Sequence, residues 1–175
     1  MRTIKIKLYS FDELTEEVQQ KVIEKNYSIN VDFDWWLSTY EDAENVSIKI
    51  QGFGLDRDKH CEISFMDNAL VTADEIIKNH GENCATYIGA KEFLKKRSEL
   101  VSKYSDGIKT DIVSEENEDQ FDSECDYLED GFKNFLCDCY ANILQEESEY
   151  LQSEEAVKET LISNEYDYHQ DGREF

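Results

Sequence analysis

One apolar stripe does most to limit what this chain can fold into. Phe121, Cys125, Leu128, Phe132, Phe135, Cys139 and Ile143 recur at spacings of four and three. Residues so spaced share one side of an α-helix, so the pattern predicts a long amphipathic helix, with Leu136 and Tyr140 widening the stripe. The stripe docks the helix on the rest of a domain.

The start of the same stretch is dense in carboxylates. Glu115, Glu116, Glu118, Asp119, Asp122, Glu124, Asp126, Glu129 and Asp130 are nine acids in sixteen residues, with no Lys or Arg between them. If helical throughout, those residues rise about 24 Å, or one carboxylate per roughly 2.7 Å. One strand of B-DNA carries a phosphate per about 3.4 Å of axis. Such a helix edge matches the charge density of a nucleic-acid backbone and fits a groove lined by Lys and Arg. The plainer reading is a solvated face whose acids favour the helix N-terminal dipole. Two or three acids would serve that purpose, and nine exceed it.

The whole chain leans the same way. Its formal net charge is −23 over 175 residues, with a mean hydropathy of −0.70. From Asp106 onward there are 22 acids against four basic residues, a net of −18; the first 105 residues have 19 against 14, a net of −5. Self-repulsion on that scale opposes compaction. It argues against direct binding to nucleic acid or anionic membrane, and for a basic protein partner or for extreme solubility. Hydrophobic content of 39 % and aromatic content of 12 % still suffice for a core. The length fits a single domain over 1–175, with a possible subdivision into a sheet-plus-helix core, 1–105, and an acidic helical part, 106–175. Five cysteines without framework spacing, no signal peptide and no membrane-length apolar run predict a cytoplasmic protein with reduced thiols. Oligomeric state is not legible.

Thr3 to Leu8 alternate as a strand does. Ser10 and Glu13 have capping-box spacing ahead of a helical stripe, Leu14, Val18, Val22 and Ile23, to about Lys25. Asp32 to Asn45 reads as a second helix, with Phe33, Trp36, Leu37, Tyr40 and Ala43 on one face. Trp35 points elsewhere, either packed under a neighbouring element or exposed as a binding anchor. Val46, Ile48, Ile50 and Cys61, Ile63, Phe65 alternate around GFGLDRDKH, a β-hairpin with a long or bulged connection. Thr72 and Glu75 mark a capping box, Ala85 to Tyr104 a helix carrying the basic cluster Lys91, Lys95, Lys96, Arg97 and Lys103, and Ser105 to Val113 a loop with Gly107. Ser153 opens a short helix to about Ile162, and Asp171-Gly172 marks a terminal tight turn. Together these predict an α+β fold: a small, mainly antiparallel sheet covered by helices, with the long acidic helix near the C-terminus.

No catalytic constellation, cofactor motif or metal site emerges. Nucleophile-elbow, P-loop and dinucleotide glycine patterns are absent. Asp56, Asp58 and His60 are too few and too interleaved with Arg57 and Lys59 to cage an ion, although they support a third-ranked reading as a metal-dependent enzyme. Asp167, His169 and Asp171 mimic the start of an EF-hand loop, but the chain ends before its bidentate glutamate. Cys137 and Cys139 point about 200° apart on a helix and make no zinc half-site.

LYSFDELTEEVQQKVIEK, NVDFDWWLSTYEDA, FGLDRDKH and YLQSEEAVKETLISNEYDYHQDG together resemble a family of small acidic phage and prophage proteins, some labelled antitoxin-like. With the intervening order of elements the resemblance covers most of the chain. It implies a mobile-element context, in which small acidic proteins often inhibit host defence enzymes; no catalytic residue carries over from it. The expectation is a non-enzymatic anti-CRISPR or antirestriction inhibitor in the bacterial host cytoplasm. Its partner would be a basic nucleic-acid-binding protein, a CRISPR effector or restriction nuclease, contacted through the nine acids with Trp35 as a second candidate. An antitoxin that neutralises a basic toxin is the alternative.

Overall fold

The computed structural model describes residues 5–105 and 118–175. The fold is α+β: among those residues lie six α-helices and one two-stranded antiparallel sheet. The chain divides into two compact units, Met1–Trp35 with Gln145–Phe175, and Trp36–Leu144. Among the described residues no helix is long and apolar enough to cross a membrane.

In the first unit the Ser10–Glu13 pair closes a single 3-10 turn over Phe11–Glu13 rather than opening the helix. The Ser10 N–H donates to Glu13 Oε2 at 3.0 Å. Helix α1 spans Glu16–Lys25. The break has a cause: Phe11 and Leu14 both turn into the core. Gln19 bridges the break: its Nε2 donates to Phe11 O at 3.1 Å and to Leu14 O at 3.2 Å. The expected strand over Thr3–Leu8 does not form in its described part; one bridge pairs Tyr9 with Tyr168. Thr3 and Ile4 lie outside the described residues. Helix α6, Glu154–Ser163, starts at Ser153, whose Oγ accepts from the Ala156 N–H at 3.3 Å. Val157, Leu161 and Tyr168 pack with Phe11 and Val22 into this unit's core. At the terminal turn Gly172 has φ +84°, and a Cβ there would also press on Val18 and Val22. Only glycine meets both conditions.

In the second unit α2 spans Leu37–Asn45, starting later than the expected Asp32. Phe33 precedes the helix and Leu37 opens it, and both are exposed rather than part of one buried face. β1, Ile48–Gly54, pairs with β2, His60–Phe65, and the register shifts between Ile50 and Gly52, a bulge within the hairpin. Ile48, Ile50, Cys61 and Ile63 form the sheet's buried face. α3 spans Ala69–Asn79, not the helix from Thr72 that its capping-box spacing predicts. Asn68 caps it first, accepting from the Val71 N–H at 3.0 Å, and the buried Thr72 hydroxyl donates to Ser47 O at 3.3 Å. α4 covers Ala85–Tyr104, as expected. The loop expected over Ser105–Val113 with Gly107 falls, after Ser105, outside the described residues. α5 spans Glu118–Leu151, and its residues from Gln145 belong to the first unit.

Candidate interaction surface on the long helix

At about 100° per residue, Glu118, Asp119, Asp122, Asp126, Glu129 and Asp130 fall within an arc of about 120° on α5. Five of these carboxylates are exposed and Glu129 is half-buried. Among the described residues none of the six has an ion-pair partner. They rise about 18 Å along the axis, one carboxylate per about 3.6 Å. Glu115 and Glu116 lie outside the described residues.

This face changes character along the helix. Glu118, Asp122 and Asp126 each recur eighteen residues later as Leu136, Tyr140 and Leu144. Eighteen residues make about five turns, so each pair occupies one azimuth. Leu136, Tyr140 and Leu144 are all at 0 % exposure. The azimuth that carries acid in the first half of α5 carries the core in the second. Burial pushes the Tyr140 hydroxyl's pKa well above its ordinary value, with Asp42, Cys139 and Cys61 adding to the effect.

Glu124 departs from the strip. It lies on the opposite side and faces α4, where Lys103 Nζ sits 2.8 Å away and the Tyr104 hydroxyl donates to it at 2.6 Å. Hydrogen bonds from Lys103 and then Tyr104 hold its carboxyl below the usual range. Arg97 of α4 likewise turns inward, donating to Cys125 Sγ with its guanidinium 4.9 Å above the Phe121 ring. Lys96 pairs with Glu92 at 2.7 Å and Lys95 with Glu99 at 3.9 Å. The basic cluster of α4 is thus spent largely on its own helix and on Glu124.

Between α4 and α5 runs an open, mostly apolar groove of about 300 Å³, with Phe93 and Phe132 in its floor. A second depression of about 690 Å³ continues it and shares Lys96, Tyr127 and Leu128. Tyr127 stands 83 % exposed on the rim, with Ile88 at 56 % and Phe135 at 39 %. The stripe places Phe135 inward; instead it edges this groove, together with Ile88 of α4. Tyr127 lies on neither the acidic arc nor the stripe, and its position on the helical wheel is the one sequence signal that marks it.

Trp35 closes the first unit, half-buried, and its N–H donates to Phe33 O at 2.7 Å. Asp56 and Asp58 lie exposed in the hairpin connection, where His60 lays its ring over Gly54 and sets Nδ1 2.7 Å from Asp58 O. Among the described residues no group of three or more His, Cys, Asp or Glu side chains converges as a metal site. At the C-terminus Asp171 takes Arg173 Nε at 2.9 Å and His169 meets Phe175 edge-on at 5.8 Å. Cys139 is buried and Cys137 half-buried.

No family model, no curated protein and no solved structure matches the chain.

Proposed function

We propose that this chain is a non-enzymatic inhibitor of a host defence nuclease, of anti-CRISPR or antirestriction type. It occupies the nuclease's basic nucleic-acid-binding surface with the acidic strip of α5. The observation that carries this reading is the strip itself. Six carboxylates lie on one arc at about 3.6 Å per charge, close to the phosphate spacing of about 3.4 Å on one DNA strand. Only the first half of the helix is available for the role, because the same azimuth is core from Leu136 onward. The charge of −23 supports a basic partner. The resemblance to phage and prophage proteins supports a defence enzyme as that partner. Association driven by such a field is fast and falls with salt.

The test is cleavage by a panel of guide-loaded CRISPR effectors and restriction nucleases, with and without the protein. Inhibition of one of them is expected, and reversal of Asp122, Asp126 and Glu129 to Lys is expected to abolish it. Raising salt from about 50 to about 500 mM should weaken the wild-type effect at least tenfold. Inhibition indifferent to the reversals, or absent throughout the panel, refutes the reading. Growth rescue on co-expression with a neighbouring toxic gene product would favour the antitoxin alternative.

A further inference from the structure

We propose that the groove between α4 and α5 takes a basic, amphipathic helix of the partner protein, with one large apolar side chain held against Tyr127 and Leu128. The proposal rests on the acidic strip being a binding surface, and it adds the apolar half of that surface and the secondary structure of what binds.

Three observations on the second unit meet here. The groove is apolar and open, and a single helix of about 10 Å diameter is the element that lies along such a channel. Tyr127 is a large ring in solvent, and aromatic residues at the edge of an apolar pocket are the usual anchors of protein interfaces. Third, charge selects the occupant. Asp126 and Asp130 flank Tyr127 on the strip side with no described ion pair, whereas on the α4 side Lys96 and Lys103 are already held by Glu92 and Glu124. A helix lying in the groove would therefore meet apolar surface below it and uncompensated carboxylate along one edge. The complementary sequence has leucine-like residues on one face and Lys or Arg beside them. A second copy of this chain fits poorly, because it brings a second strip of the same sign to the first. Nucleic acid is repelled outright.

Gly131 makes the proposal testable without harming the fold. It lines the groove, and a Cβ built there meets nothing within 4 Å. Gly131→Leu fills the channel at a helical position where leucine is favoured over glycine, so the melting temperature should not fall. Tyr127→Ala removes an exposed ring and serves as the second variant.

Two labelled peptides of about 18 residues and identical Leu/Lys/Arg composition serve as probes, one patterned with apolar residues at i, i+3, i+4 and i+7, the other permuted to destroy that face. Binding to the full chain is read by fluorescence anisotropy at about 150 mM salt. The patterned peptide is expected to bind at least about tenfold tighter, the scale of one interface hot spot. Gly131→Leu and Tyr127→Ala should each erase that preference while leaving the permuted peptide's affinity unchanged. Reversal of Asp122 and Asp126 should weaken both peptides. Equal binding of the two peptides, or a preference that survives Gly131→Leu, overturns the groove proposal and leaves the strip reading standing. Binding of neither peptide overturns both. Self-association in sedimentation velocity that Gly131→Leu removes would make a second copy the occupant and overturn the proposal.

Discussion

The ring of Phe135 on α5 lies over the backbone of Gly89 on α4, in the space that a side chain at residue 89 would need. Glycine here sets how closely the two helices approach, and so sets the depth of the groove beside them. Gly89→Ala should gain about 1 kcal/mol of helix propensity. It should lose more than that to displacement of the ring, since overpacking costs typically about 1–3 kcal/mol. The net expectation is a loss of about 1 kcal/mol in urea unfolding. In a Phe135→Ala background the sign should invert, with Gly89→Ala stabilising. A double-mutant cycle that shows simple additivity would contradict the contact.

Phe132 is a buried aromatic of the stripe. Its ring stacks on Phe93 at 4.4 Å and 12°, and faces Phe65 at 6.1 Å. It links α5 to both α4 and the hairpin. Phe132→Ala should cost about 3–5 kcal/mol, the range for deletion of a buried aromatic ring. Phe132→Leu should fall between alanine and wild type. Chemical denaturation with matched m-values measures both.

Asn30 is a buried polar side chain in the first unit. Its Nδ2 donates to Leu151 O at 2.9 Å and its Oδ1 accepts from the Thr160 hydroxyl at 2.7 Å. Asn30→Ala strands both partners and should destabilise by about 1–3 kcal/mol. Asn30→Asp should cost more near neutral pH, because a carboxylate replaces the donor and faces a carbonyl oxygen. A thermal melt in which Asn30→Asp equals wild type would show that this bond is not formed.

Burial raises the Cys61 thiol from 9.0 to about 12 and the Cys139 thiol from 9.0 to about 11. The unfolded chain therefore releases these protons first as pH rises. Stability from the two neutral thiols is fully present below about pH 9 and is lost through about pH 12. Urea unfolding across that window should show a falling slope that Cys61→Ala flattens. At mild pH the exposed Cys84 should react with a thiol reagent well before the buried Cys61, Cys125 and Cys139. Rapid labelling of Cys61 without denaturant would contradict its burial.

Local patterns carried far where the competing interactions were also local. The bounds of α4, the Ser153 cap of α6 and the bulged hairpin all follow from residues within a few positions of one another. Trouble came where two local solutions were available. Thr72–Glu75 has the spacing of a cap, yet Asn68 caps four residues earlier and Thr72 is buried against Ser47. Ser10–Glu13 closes its box as expected, but around a single turn, since Phe11 and Leu14 are needed in the core. Burial of distant residues broke the tie in each case.

The acidic helix divides along the same line. Its amphipathic character, its run of carboxylates and the eighteen-residue recurrence that turns acid into core are all present in the order of residues, because helical period alone relates them. Tertiary structure alone decided that Glu124 is withdrawn to Lys103 and Tyr104, that Arg97 turns inward to Cys125, and that Tyr127 is left beside an open groove. Those outcomes depend on which face of α4 meets α5, and Gly89 and Phe135 help to set that approach through the space their atoms fill.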